Sequence, residues 1–387
     1  MRVKLGECVE QIRGVSYKPE DLHDSLDSDS VVLLRANNIK DGQLNFDDVV
    51  YVDKTRVKNS QLLKRGDILV CASSGSKDLV GKAAYVDKDM TVTFGAFCKV
   101  VRPKTNTPKY IAHYFQSPIY RQEISNLSSG ANINNIRNEH IDELLITLPG
   151  EDIQIQIVDL LDKVSVLLAL RKKQLSKLDE LVKSRFIEMF GEFIQLATPV
   201  NFESICEFVT VGIANSATHA FCDDGVIMFR NQNIKEDYLD TFDIVHITPD
   251  FASKYKSKML KKDDLLIVRT GYPGVACLVP KKYEGCQTFT TLIARIKHDN
   301  TINPRFVCHY INSEYGKKYV RDNSAGAAQQ NFGATALSKL PICIPPIELQ
   351  VEYIEFVGQT DKLKSEIKES LEKLETLKKS LMQKYFG

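Results

Sequence analysis

The chain has 387 residues, 43% of them apolar, which is enough for two or three domains with sizeable cores. Lysine plus arginine number 51 against 50 for aspartate plus glutamate, so bulk charge carries no signature of a nucleic-acid or membrane binder and any such role must rest on local patches. The opening MRVKLGECVEQI lacks the apolar core of a secretory leader, no window nears the ~18 apolar residues of a spanning helix, and nine cysteines form no Cys-x-x-Cys pair; these predict a cytoplasmic protein with reduced structural thiols, no membrane partner and no metal site.

In chain order, β-branched runs at Val31 to Leu34, Ile68 to Cys71 and Thr91 to Phe94 predict strands, with turns at Asp41-Gly42 and Arg65-Gly66. Residues 1–150 therefore read as an α+β domain, with YIAHYF (Tyr110 to Phe115) on an amphipathic helix. The domain closes with SSGANINNIRNEHIDELLITLP, Ser128 to Pro149, small and amide-rich at first, then apolar. After Pro149-Gly150 the apolar positions recur in steps of three and four: Ile153, Ile157, Leu160, Val164, Leu167, Leu175, Leu178, Val182 and Met189, with Arg171 interrupting. This predicts a helix over 151–191, opened by the acids Glu151-Asp152 and stopped at Gly191.

The same order of chemistry then starts again. SAGAAQQNFGATALSKLPICIP, Ser324 to Pro345, repeats the earlier passage at an offset of 196, matching Ser128, Gly130, Ala131, Asn135, Leu144, Ile146 and Pro149. VVLLRANNIKDGQL (Val31 to Leu44) is echoed by VIMFRNQNIKEDYL (Val226 to Leu239), LLKRGDILV by MLKKDDLLIV, YIAHYF by FVCHYI, and SRFIEMFG by SLMQKYFG. A period this long duplicates a whole domain with its connector. The second copy gives a domain over 192–346 and a helix over 347–387, with apolar positions Leu349, Tyr353, Phe356, Leu363, Ile367, Leu371, Leu374, Leu381 and Tyr385. A long helix with an apolar stripe needs a partner in water. The predicted fold is α+β: two homologous mixed domains separated by two long helices, which form an antiparallel coiled coil about a pseudo-two-fold.

Catalytic signatures are missing from the sequence. The nearest approach to a phosphate loop, Gly75 to Ala83, has one residue too many and no hydroxyl after the lysine. The sole Pro-Pro, Pro345-Pro346, follows Ile344 rather than the Asn or Asp of an adenine or cytosine methyltransferase motif. Pro249-Asp250 with Glu366-Ile367-Lys368 imitates a nuclease signature, but the latter lies on the heptad helix, where such charges are commonplace. His113 and His309 are equivalent by the repeat and read as packing groups. No nucleophile elbow is present, and the chain is expected not to be an enzyme.

Three polar loops recur instead, of the kind that bond base edges and phosphates. The first pair is Arg35, Asn37 and Asn38 against Arg230, Gln232 and Asn233. The second is Ser73, Ser74, Lys77 and Lys82 against Arg269, Thr270 and Tyr272. The third is Ser128, Ser129, Asn132, Asn134 and Asn135 against Ser324, Gln329, Gln330 and Asn331. For any one residue, making a turn is an equally good explanation; position is kept while identity changes, as expected of two readers tuned to different sequences.

RxxNI in both units, GDIL/DDLL before a glycine-containing polar loop, the Ser-x-Gly-x-x-x-x-Asn passage ending in a proline stop, and long helices opening near Gln154 and Gln350 together resemble the specificity subunit of type I restriction-modification systems, over essentially all 387 residues. The resemblance implies two target recognition domains, each reading half of a bipartite, asymmetric site in double-stranded DNA, with the helices fixing the unread gap. It further implies docking of two modification (methyltransferase) subunits and association with restriction (translocase and nuclease) subunits. S-adenosylmethionine, ATP and Mg would then be used by those partners, and no cofactor by this chain. In the second unit Asp263 replaces Gly66 and the following loop is shorter, so the two domains cannot present identical contacts. The rival readings are a duplicated coiled-coil adaptor without DNA readout and a self-sufficient enzyme.

Overall fold

A computed structural model describes residues 1–76, 79–129, 135–214, 217–297, 299–324 and 331–387, with backbone only at 127–129. The chain forms two compact units, Met1–Lys173 with Ile367–Gly387, and Gln174–Glu366. Each long helix is thus divided between the units.

Both units are built alike. In the first, one antiparallel sheet runs Val9–Arg13, Cys98–Pro103, Ile68–Cys71, Ala83–Tyr85; the other runs Leu22–His23, Val50–Asp53, Ser30–Leu34, Val92–Phe94, its last pair parallel. The second unit repeats both orders: Cys206–Val211, Leu292–Ile296, Leu265–Ile267, Ala276–Leu278, and Phe221–Cys222, Val245–Ile247, Val226–Phe229, Gln287–Thr288, again with a parallel last pair. The apolar runs at Ile68–Cys71 and Leu265–Ile267 are buried on both faces, which explains why they are continuous rather than alternating.

The turns follow their residue chemistry. Asp41 and Gly42, at φ 51° and 78°, close a hairpin between Ile39–Lys40 and Gln43–Leu44. Gly66 and its replacement Asp263 both take left-handed backbone, φ 94° and 65°, a conformation aspartate tolerates better than most side chains. The next residues, Asp67 and Asp264, are buried, and each receives an arginine fork: Arg102 Nε at 2.7 Å and Nη2 at 2.8 Å, and Arg295 Nε and Nη2 both at 2.7 Å. These ion pairs mark equivalent rungs of the two ladders.

The first long helix spans Glu151–Leu196 and the second Ile347–Phe386. The first does not stop at Gly191. Phe190 is buried and Ile194 packs against the core of the second unit, so apolar burial carries the helix past a residue that elsewhere would end it. The seam also shifts: Ile153, Leu160 and Leu167 are exposed, while Ile157, Leu161 and Val164, then Val182, Phe186 and Phe190, are buried. Ile157, Val164 and Val182 of the anticipated stripe are buried as expected, while the domains add Leu161, Phe186 and Phe190 and leave Ile153, Leu160 and Leu167 outside.

In the first unit the start of the first long helix packs beside the end of the second. Met382 and Phe386 join Tyr110, Tyr114, Ile157 and Leu161 in one core, with the Phe386 ring 5.1 Å from Tyr110. In the second unit Phe186 and Phe190 fill the same places against Phe306, Tyr310, Tyr353 and Val357, with Phe190 5.0 Å from Phe306. There Arg185 pairs with Glu352 at 3.0 Å and Lys364 with Asp179 at 2.6 Å, so one helix index rises as the other falls: the pairing is antiparallel.

Buried amides anchor each helix start. Gln154 bonds the Pro149 carbonyl at 2.8 Å and accepts from the Thr107 hydroxyl; Gln350 bonds the Pro345 carbonyl at 2.7 Å and accepts from the Asn303 amide at 2.9 Å. The equivalent histidines are packing groups. Buried His113 meets Asp162 at 3.0 Å, and buried His309 meets the Tyr353 hydroxyl at 3.1 Å. Burial also lowers the pKa of His309, which favours the neutral ring.

Candidate nucleic-acid interface

The first polar loop leaves the strand ends Leu34 and Phe229 as a single turn of helix. Asn38 and Asn233, both 0% exposed, are its keystones. Asn38 Nδ2 donates to the carbonyls of Asn45 and Asp48, both at 2.9 Å, and its oxygen accepts from the Arg35 amide at 2.7 Å. Asn233 does the same with Asp240 at 3.1 Å, Phe242 at 3.0 Å and the Arg230 amide at 3.0 Å. Both were expected among the DNA contacts. Both are turn-forming residues instead, because every polar group of these wholly buried amides is spent on the backbone.

The other members of this loop face outward but converge on a carboxylate. Arg35 and Asn37 donate to Asp48 at 3.1 and 2.6 Å; Arg230 and Gln232 donate to Asp243 at 2.9 and 2.7 Å. The acids were not singled out from the sequence, although both follow the motif at the same spacing. Each tethers one guanidinium nitrogen, Nη2, of its arginine and offsets part of the charge.

The second and third polar loops meet. Ser73 bridges Asn135, and Ile136 donates to the Ala72 carbonyl at 2.7 Å. Thr270 bridges Asn331 in the same way, and Phe332 donates to the Arg269 carbonyl at 2.9 Å. The junction is therefore the same in both units and keeps its asparagine, while Ala72, Ser73 and Ile136 are replaced by Arg269, Thr270 and Phe332. In the second unit Arg269 Nε donates to Asn331 Oδ1 at 3.0 Å. The first loop joins there as well: Asn231 donates to the Thr270 hydroxyl at 2.8 Å, and the Tyr272 hydroxyl donates to the Asn231 carbonyl at 2.8 Å. Asn231 belongs to this cluster as well, whereas its counterpart Ala36 has no polar side chain.

The remaining candidates are scattered or differently employed. Ser74 accepts from the Ser76 amide at 3.2 Å, Lys82 is exposed, and the Ser324 hydroxyl bonds back to the Val320 carbonyl at 2.6 Å. Lys77, Asn132, Asn134, Gln329 and Gln330, and the side chains of Ser128 and Ser129, lie outside the described residues.

Comparison with known proteins decides the family. The family described as Type I restriction modification DNA specificity domain matches twice, over residues 3–180 and 198–378. The chain belongs to that family. It is 31% identical to the type I restriction enzyme StySPI specificity subunit of Salmonella potsdam and 27% identical to the EcoKI specificity subunit of Escherichia coli, in each case over 97% of this chain and 86% of the relative. Among solved structures, the fold is similar to a chain from a type I R-M system studied for complex assembly and conformational transition, at TM-score 0.60 and 14% identity, covering 100% of this chain and 97% of that one. It is also similar to the S subunit from M. genitalium, at TM-score 0.52 and 13% identity, covering 100% and 96%. For this specificity-family chain, each matched segment carries one of the duplicated loop junctions, and no described helix is long and apolar enough to cross a membrane.

Proposed function

We propose that this chain is the sequence-reading subunit of a type I restriction-modification complex, in which each unit reads one half of a bipartite DNA site and the long helices set the unread gap. The observation that carries the reading is the twice-built junction, Ser73 with Asn135 and Thr270 with Asn331, on one backbone frame that keeps the asparagine while Ala72, Ser73 and Ile136 give way to Arg269, Thr270 and Phe332. A duplicated adaptor indifferent to DNA has no use for that difference.

The partner assignment has its own support. Large apolar residues stay exposed at the same offset in both helices: Ile153, Ile155, Leu167 and Leu377 in the first unit answer Leu349, Val351, Leu363 and Leu181 in the second. Drift after a duplication would replace such residues with polar ones unless each set is covered. The natural occupants are two copies of one modification subunit, joined by restriction subunits. Methyl transfer from S-adenosylmethionine, and any work driven by ATP with Mg, belongs on this reading to those subunits, in the cytoplasm; this chain contributes recognition and no catalysis.

The test is to co-express the chain with its modification subunit and map methylated positions across a genome by single-molecule sequencing. A split motif with an unread gap is expected. Ser73→Ala with Asn135→Ala should relax one half only, and Thr270→Ala with Asn331→Ala the other, since a good base contact is worth ~1–3 kcal/mol of discrimination. Relaxation of both halves by either pair would refute separate readers.

A further inference from the structure

Phe97 stands 71% exposed between the strands Val92–Phe94 and Cys98–Pro103. A lone exposed aromatic on a protein surface needs no explanation by itself. Its setting is what demands one. The Phe97 carbonyl accepts from the amides of both Ala72, at 2.9 Å, and Ser73, at 3.0 Å. Those two residues also hold the third polar loop, through the Ser73 bridge to Asn135 and the Ile136 bond to Ala72. Phe97 is therefore fastened to the point where two of the three polar loops of the first unit meet.

The segment around it is fixed. Cys98 is buried and its amide closes a turn onto the Gly95 carbonyl at 2.8 Å. Lys99, buried, extends its ammonium to Gln11 at 3.0 Å and to Asn138 at 2.8 Å, tying the same strand to the exit of the third loop. A ring presented from so fixed a backbone loses little conformational freedom on binding. In the second unit the residue one step before the equivalent ladder position is Thr290, in left-handed backbone at φ 56°. Whatever Phe97 does, only the first unit does it.

We infer that Phe97 is a specificity-determining DNA contact of the first unit, its ring packing against base edges of one half-site. The 5-methyl group of thymine, the apolar feature of the major groove, is the complement it takes. The inference rests on the proposal that each unit reads half a site.

The test uses the complex assembled with its modification subunits. Methylated positions are mapped for the unchanged protein, for Phe97→Ala and for Phe97→Leu, and binding is measured to duplexes in which each thymine of the motif is replaced in turn by deoxyuridine. The expected result is a tenfold or greater loss of specific binding with Phe97→Ala, relaxed preference at one position of a single half-site, an intact other half, and partial retention by leucine. One deoxyuridine replacement should weaken the unchanged protein and leave Phe97→Ala unaffected. Binding and motif unchanged within twofold by Phe97→Ala, while the unchanged protein still shows a split motif, would overturn this inference alone. Uniform weakening at every sequence would place the ring on the sugar-phosphate backbone and overturn it too. If the unchanged complex shows no split motif, the half-site reading fails and takes this inference with it.

Discussion

Two equivalent places in the units have opposite chemistry. In the first unit Lys99, opposite Val70, lies at the centre of a polar node: it bonds Gln11 and Asn138, and Gln11 reaches Asp142 at 2.7 Å. In the second, Leu292 stands opposite Ile267 on the same rung, fully buried in the main core, and Val209 and Ala334 pack beside it where Gln11 and Asn138 stand in the first. The strand order, the Asp–Arg fork and the loop junction survive this exchange unchanged. The lesson is that the frame depends on backbone register and a few buried anchors, leaving the material beneath the loops free to diverge.

The largest effect should come from the exchanged helix ends. Phe386→Ala and Phe190→Ala each open a cavity in a different core, costing about 3–5 kcal/mol. Hydrogen exchange should show protection lost around Tyr110 to Tyr114 for the first and around Phe306 to Tyr310 for the second. Loss in the opposite unit would break the account of how the helices are shared.

A smaller and symmetrical effect is expected at the turn keystones. Asn38→Ala and Asn233→Ala each remove the buried amide that ties the turn to two carbonyls and an N–H, at ~1–3 kcal/mol in all, whereas Asn37→Ala and Gln232→Ala on the exposed side should change stability by less than about 0.5 kcal/mol. Denaturant midpoints measure this. Unchanged stability with a relaxed half-site in Asn38→Ala would return that residue to the readers.

The smallest effect sharpens the contrast between Lys99 and Leu292. Burial, only partly offset by the charges of Asp142 and Glu139, lowers the Lys99 ammonium from 10.5 to about 8. Between these values the unfolded chain holds a proton that the folded chain has released, so stability from this group rises with pH across that window. Stability curves of the unchanged protein and Lys99→Leu, measured at about pH 7.5 and pH 9.5, should differ in slope, the unchanged protein gaining more at the higher pH. Parallel curves would show that Lys99 does not titrate there.

Reading the chain alone located the strands around Val31, Ile68 and Val92, the left-handed turns at Asp41-Gly42 and Gly66, and the long antiparallel helices, because hydrophobic period and turn chemistry are local properties that duplication printed twice. The candidate site was less legible. Asn38 and Asn233 were indistinguishable from readers, since an amide in a loop looks alike whether it points at DNA or at its own backbone, and only burial separates the two. Asp48 and Asp243 were passed over because their partners lie across a turn. Phe97 was passed over for the complementary reason: a phenylalanine after a strand pattern reads as core until the fold leaves it outside.

The sequence by itself determined that there are two copies of one domain, that each is followed by a long helix, and which polar positions were kept while their identities changed. Only the tertiary structure decided that each helix ends in the core of the other unit, that the second and third polar loops share one junction, and that Lys99 and Leu292 hold equivalent ground. Periodicity and repetition lie along the chain, where neighbours are known in advance. Burial, pairing and exposure depend on residues brought together from far apart, and the chain's order alone does not say which of its faces will meet.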